Sequence, residues 1–125
     1  MIQVVCAIIE KDFKTLVVQR SELMSLPLKW EFPGGKIEQG ESEEECIKRE
    51  IKEELNIEIS VQKRLTPSIF HYPNISIELI PFIAELVGGD IVLKEHAAYL
   101  YCSKDKLINL DWAEADIPIV KEYLS

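Results

Sequence analysis

Nowhere in these 125 residues does an apolar run reach the roughly 18–20 residues that a bilayer-spanning helix needs, so a membrane helix is excluded. The opening Met1-Ile2-Gln3-Val4-Val5 lacks the basic segment of a signal peptide, and the cytoplasm is the expected location. Cysteine is scarce: Cys6, Cys46 and Cys102 are odd in number and form no C-x-x-C pair. That excludes a disulfide framework and predicts buried free thiols. Only two histidines are present, His71 and His96. Neither has a partner at metal spacing, which argues against a zinc site. Cations are in deficit, 14 Lys and Arg against 22 Asp and Glu, for a net charge of −8. Such a chain is a poor binder of nucleic-acid backbone, which needs many cations to neutralise phosphates. A small polyanion can still bind if divalent metals sit between the two negative partners. No repeat, low-complexity tract or Ser/Pro/Gly-rich linker divides the chain, so one domain over residues 1–125 is expected.

What is present is a series of strands around one strong helix. Residues 2–9 read as a buried strand. Thr15 to Arg20 read as its hairpin partner across the turn Asp12-Phe13-Lys14. A loop over 21–30 leads to a short strand at Trp30-Glu31-Phe32, stopped by Pro33-Gly34-Gly35. Ser42 and Glu45 have the spacing of a capping box. Ile47, Ile51 and Leu55 recur on one helical stripe, and Asn56 suits a left-handed helix end. A helix over about 43–55 follows. Residues 59–71 and 75–87 read as two long strands, the second at an edge or kinked because of Pro81. Ala97 to Cys102 reads as another strand, Lys104 to Asn109 as a helical turn, and Ala113 to Leu124 as a closing helix with Pro118 near its start. The pattern implies a mixed α/β (α+β) layered domain.

The chemistry concentrates on the helix. At 100° per residue, Glu54 lies about 40° from Glu50 and Glu53 about 60° to its other side, so three carboxylates share one face. Like charges one turn apart repel. The cluster is therefore either a solvated face or a cation-binding one. Hard cations such as Mg²⁺ take oxygen ligands, commonly one or two carboxylates with phosphate oxygens and water. The preceding Pro33-Gly34-Gly35-Lys36 favours the second reading: glycines allow close backbone approach, and Lys36 brings a phosphate donor.

The segment Gly35 to Ile57 resembles the 23-residue Nudix box, G-x5-E-x7-R-E-U-x-E-E-x-G-U, with U a bulky aliphatic. Gly35, Glu41, Arg49, Glu50, Ile51, Glu53, Glu54 and Ile57 stand at its spacings. Asn56 replaces the usual Gly, a mild change at a left-handed helix end. Flanking segments are similar to the MutT-type branch: Trp30-Glu31-Phe32-Pro33-Gly34-Gly35-Lys36, Glu95-His96, and Asp111-Trp112-Ala113-Glu114-Ala115-Asp116-Ile117-Pro118. The last is especially like the CTP pyrophosphohydrolase branch.

The resemblance implies a Nudix fold, an α-β-α sandwich around a mixed sheet with its loop-helix at about 34–57. It implies metal ligation by Glu50, Glu53, Glu54 and Glu95 with the Gly34 carbonyl, Arg49 holding the box carboxylates, and Glu41 bracing the loop. Glu53 or Glu95 would be the general base, Glu95 having a surface carboxylate as its alternative. Arg20, Lys36, Phe32 and Asp116 would meet substrate. Arg20 is otherwise a surface arginine, and Asp116 either reads the base edge or caps the last helix. His96 would orient Glu95, and Trp30 and Phe32 would be core residues. The implied function is Mg²⁺-dependent (or Mn²⁺-dependent) cleavage of a nucleoside triphosphate to monophosphate and pyrophosphate by a monomer, with a homodimer as alternative. ADP-ribose or dinucleoside polyphosphate hydrolysis, and a non-catalytic binding module, are the competing readings.

Overall fold

In the computed structural model, which describes residues 1–125, eight strands form one mixed sheet between two helical layers. β1 (Ile2–Lys11) and β2 (Lys14–Gln19) make the expected antiparallel hairpin. β3 (Trp30–Glu31) pairs with β2, and β4 (Gly34–Lys36) pairs with β1. α1 spans Glu43–Leu55. β5 (Glu58–Arg64), β6 (Ser68–Tyr72), β7 (Ile75–Gly88) and β8 (Ala98–Ser103) follow. The chain closes with α2 (Lys104–Leu107), a 3₁₀ turn over Glu114–Asp116, and α3 (Ile117–Leu124). No helix is long and apolar enough to cross a membrane.

β1 explains the sandwich. It lies inside the sheet, parallel to β7 on one side. Its side chains alternate between two cores: Val5, Ala7 and Ile9 face Ile47, Ile51 and Leu55 of α1, while Cys6 and Ile8 face Ile119, Val120 and Tyr123 of α3. Burial on both faces is why the strand is apolar without interruption. All three cysteines are buried free thiols.

The hairpin strands separate beyond Ile9, and the segment between β3 and β4 fills the opening. Trp30 and Glu31 pair with Gln19 and Val18, whereas Gly34 to Lys36 pair with Cys6 to Val4. The Ala7 N–H donates to the Pro33 carbonyl at 2.9 Å between them. The glycine pair is thus held against the sheet directly beneath α1. A Cβ on Gly34 would stand 1.9 Å from the Val5 carbonyl oxygen, so no larger residue fits this approach.

Three expectations change. Residues 59–71 are two strands, because the chain leaves the ladder at Leu65-Thr66-Pro67. Pro67 has no N–H to pair, and the Thr66 N–H turns to the Glu122 carboxylate at 3.1 Å. Pro81 sits on a central strand, with β1 on one side and β5 and β6 on the other. Its carbonyl accepts from Leu65 N–H at 2.9 Å. A strand residue's N–H and C=O point the same way, so the proline nitrogen faces the point where β5 gives way to β6, and no bond to β1 is lost. The closing helix begins at Ile117 instead of Ala113, since Ala113 is extended (ψ 140°) where its N–H pairs with the Trp30 carbonyl at 2.8 Å and a 3₁₀ turn follows over Glu114–Asp116.

α1 matches its local signals. Ser42 Oγ accepts from Glu45 N–H at 3.1 Å and Glu45 returns a bond to Ser42 N–H at 2.9 Å. Asn56 is left-handed, φ 62°, with its N–H on the Lys52 carbonyl and its side-chain amide donating to the Asp90 carbonyl at 3.2 Å. Replacing Asn56 by Ala removes the amide whose hydrogen bonding makes the left-handed conformation tolerable, and should lower unfolding free energy by about 1–2 kcal/mol. Asn56→Gly should cost less than the alanine change. Urea denaturation of both variants checks this; alanine as stable as glycine would contradict it.

Candidate active site

The three helix acids do not share one environment. Glu50 is buried to 14% exposure, Glu54 to 22%, and Glu53 is 61% exposed. Arg49 is the common partner of Glu41, Glu50 and Glu53, and does not reach Glu54. Its Nε and Nη2 grip both oxygens of Glu41 at 2.6 and 3.0 Å, a bidentate pair. Nη1 donates to Glu50 at 2.9 Å and Glu53 at 3.1 Å, and Nη2 also reaches the Lys36 carbonyl at 3.3 Å. The guanidinium holds the Glu41 carboxyl at about 2, helped by the Glu38 N–H. Glu41 thereby ties loop to helix.

Arg49 does not quench the whole cluster. Burial pushes Glu50 up even though Arg49 pulls it down, and Glu53 and Glu38 add repulsion. Burial also pushes Glu54 up; His96 pulls it down, and Glu50, Glu95 and Glu31 repel it. No hydrogen bond reaches the Glu54 carboxylate. Gly35 makes room for this arrangement, since a Cβ there would lie 2.2 Å from the Glu50 carboxyl carbon. No three His, Cys, Asp or Glu side chains converge as a ready-made cation cage. The donors fit magnesium or manganese nonetheless: they are hard oxygens, under-compensated in charge, and such ions complete their shell with phosphate and water.

Glu54 opens on a cavity of about 530 Å³ whose wall also holds Gly34, Gly35, Lys36, Arg20, Glu31, His96, Phe32 and Asp116. Glu50, Glu53 and Glu95 lie outside its lining. Glu95 is exposed and makes no hydrogen bond, and it is brought beside the end of α1 by Lys94 N–H donating to the Glu54 carbonyl at 3.3 Å. Lys36 is exposed and free of ion pairs. Arg20 is already engaged, with Nη1 on Glu31 at 2.9 Å, Nε on the Ser25 carbonyl at 2.6 Å and Nη2 on Ser25 Oγ at 3.0 Å.

Asp116 is only 4% exposed. Its Oδ2 accepts the Phe32 N–H at 2.9 Å, and no side-chain bond caps α3, so the capping alternative is corrected. The reason is geometric: the residue before Ile117 is already in a helical 3₁₀ turn, which aims its side chain at β3 instead of back at the helix N–H groups. Burial drives its carboxyl well above the usual aspartate range, and Glu31 adds repulsion. Phe32 is buried against Trp112, ring centroids 4.8 Å apart, while Trp30 is only partly buried.

His96 does not pair with Glu95. Its Nε2 is 2.8 Å from Glu31, because Ala97 N–H fixes the backbone to the Gln19 carbonyl and turns the ring inward. His71 is on β6 against Ser76, away from the acids. Glu31 had no role in the sequence reading, although it stands inside the flanking motif. The walls supplied by Tyr72, Ile77 and Leu79 of β6 and β7 were missed as well, since they come from the stretch with the weakest motif. A second hollow, about 500 Å³ over Ser42, Glu43 and Arg64, gathers only a surface ion pair.

Comparison with known proteins places this geometry in context. Residues 1–123 match the NUDIX domain family. The chain is 36% identical over 128 residues to the CTP pyrophosphohydrolase of Escherichia coli K12, covering all of this chain and 93% of that protein. It is 33% identical over 116 residues to the putative 8-oxo-dGTP diphosphatase 2 of Mycobacterium tuberculosis H37Rv, covering 90% of this chain and 81% of that one. Among solved structures, the MutT protein (family Nudix hydrolase) of methicillin-resistant Staphylococcus aureus 252 is 41% identical. That match has a TM-score of 0.80 and covers 98% and 95% of the two chains.

Buried Asp116 gives a signed pH dependence. Its folded-state pKa is raised, so its contribution to stability is fully present below the unfolded value of about 3.9 and is lost as pH rises through the folded value. Asp116→Asn keeps an acceptor for Phe32 N–H and removes the ionisation. The variant should gain stability relative to wild type between pH 5 and pH 8, read from urea midpoints. A difference that stays constant across that range would rule the burial argument out.

Proposed function

The chain belongs to the NUDIX family and is a hydrolase of phosphoanhydride bonds; from that premise we propose that it cleaves a nucleoside triphosphate to monophosphate and pyrophosphate. The observation that carries the reading is the single cavity into which Glu54, the glycine loop and Lys36 open together with Asp116 and Phe32. Its volume, about 530 Å³, suits a nucleotide-sized ligand.

Glu50, Glu53, Glu54 and Glu95, with the Gly34 carbonyl, would hold Mg²⁺ or Mn²⁺. When bound, the cation supplies neutralisation of the polyphosphate and polarisation of phosphorus. Lys36 contributes a free ammonium to the phosphates. Arg49 keeps the acids in register, acting on their positions and not on substrate. One of the two exposed carboxylates, Glu53 or Glu95, takes the proton of the attacking water. Arg20 reaches substrate only by sharing its remaining N–H groups, since Glu31 and Ser25 occupy three. Phe32 supplies apolar wall. The Asp116 oxygen not bonded to Phe32 is the group available to a base edge, for instance to the exocyclic amine of cytosine. The unit proposed is the single domain over 1–125 acting as a monomer on a diffusible nucleotide.

Product analysis with CTP, 8-oxo-dGTP and ADP-ribose in Mg²⁺, reading pyrophosphate from the triphosphates and AMP with ribose 5-phosphate from ADP-ribose, tests the assignment. Triphosphates should be turned over faster than ADP-ribose, and Glu53→Gln and Glu54→Gln should each lower kcat by at least about 100-fold, as for loss of a group acting in the transition state. Wild-type rates in both variants would remove the helix from the chemistry. Asp116→Asn and Asp116→Ala should alter the ranking of CTP against 8-oxo-dGTP more than the rate on the better substrate. An unchanged ranking in both would take Asp116 out of base choice.

A further inference from the structure

His96 has no task in the reaction as proposed, yet its position is unusual. The side chain is 3% exposed and lies between two carboxylates from distant parts of the chain. Nε2 is 2.8 Å from Glu31 Oε2. Nδ1 is buried without a hydrogen-bond partner and faces Glu54 Oε2 at 3.5 Å. A buried nitrogen without a partner has lost its hydration with nothing in exchange, so a fold that keeps one invites a reason. Glu54 is the complementary case, a mostly buried carboxylate that no hydrogen bond reaches.

The ring is braced from behind. Glu31 is fixed on its other oxygen by Arg20 at 2.9 Å, and Arg20 is fixed by the carbonyl and hydroxyl of Ser25. The backbone on either side is also tied, Lys94 N–H to the Glu54 carbonyl and Ala97 N–H to the Gln19 carbonyl at 2.9 Å. A ring packed for shape alone needs none of these polar ties. Arg20, Glu31, His96 and Glu54 thus form a polar chain from one wall of the cavity to the acidic helix.

We infer that His96 is a positioning residue: anchored through Nε2 to the Arg20–Glu31 pair, it presents Nδ1 to Glu54 and sets the orientation in which that carboxylate receives the divalent cation. The inference rests on the proposed role of Glu54 as a metal ligand. Neighbours that orient metal-ligating side chains typically contribute about 10–100-fold in metal affinity.

The two amide replacements separate the ring's nitrogens. His96→Asn leaves an amide near the place of Nδ1 and drops the Glu31 contact; His96→Gln leaves one near Nε2 and drops the contact to Glu54. Mn²⁺ is titrated into nucleotide-free protein, with thermal melts of the metal-free variants alongside. The glutamine variant should bind Mn²⁺ at least about tenfold more weakly, and the asparagine variant within about threefold of wild type. Its KM for nucleotide should move less than its metal affinity. Glutamine binding Mn²⁺ as tightly as wild type, or both variants losing affinity in step with their melting temperatures, overturns the inference. If the glutamine protein does not fold, the asparagine protein decides alone, a tenfold loss there being the overturning result. A wild-type protein that binds no Mn²⁺ overturns the metal role of Glu54 and this inference with it. Binding by wild type with no effect of glutamine overturns the role of His96 only.

Discussion

One guanidinium makes the rest of this site possible. Arg49 bonds to Glu41, Glu50, Glu53 and the Lys36 carbonyl. Without it, carboxylates at adjacent turns would repel each other along one face of α1. The fork on Glu41 also fixes where the loop after β4 returns to the helix. Gly35 is bound by the same constraint: the Glu50 carboxyl that Arg49 holds occupies the volume a Cβ would need. Arginine, glycine and glutamate are therefore one packing unit, and a change at any of them displaces the other two. Arg49 nevertheless leaves Glu54 outside its reach, with burial and three neighbouring acids acting on it. The charge left over is concentrated where the helix meets the cavity.

The segment from Trp30 to Lys36 gives the acids a substrate surface. It fills the opening between β1 and β2, so its backbone is committed at almost every step. Trp30 bonds to Asp111 and Ala113, Phe32 to Asp116, and Pro33 to Ala7. Through Asp116 the same few residues hold the C-terminal turn against the sheet. The glycine-loop end and the Asp116 end of the cavity are coupled by a backbone spanning only a few residues. A shift that opened one would move the other.

What could be read from the sequence follows from the range of each interaction. The helix was legible because its determinants are local: Ser42 and Glu45 cap it, and Asn56 ends it in the left-handed conformation. A layered α/β domain was legible from strands flanking a strong helix, and the two-sided sandwich only from the family resemblance. Pro81 misled because its tolerance depends on where β5 hands over to β6, an arrangement made by residues far along the chain. The same holds at the site. The box acids, Arg49 and the glycine loop lie within 23 consecutive positions and could be recognised together. The contact of His96 with Glu31 spans 65 residues, and that of Asp116 with Phe32 spans 84. Neither pairing leaves a mark in local spacing, so His96 was assigned to its neighbour Glu95 and Glu31 was given no part.

That difference in range bears on how such a site can diverge. The box acids and the glycine loop form a contiguous unit locked by Arg49, so few substitutions there preserve the geometry. The remaining cavity walls are gathered from the loop after β2, from β6 and β7, and from the turn before α3, and each belongs to a separate structural element. Tyr72, Ile77 or Leu79 can change without touching the acids. Asp116 is the exception: its carboxyl holds a backbone N–H of the same segment that carries the glycine pair. A substitution there that loses the acceptor strips a partner from a buried donor, which costs roughly 1–3 kcal/mol and loosens the loop. Asn meets that requirement while changing the hydrogen-bonding character offered to a base. Variation at this position is therefore restricted to side chains that can also satisfy Phe32.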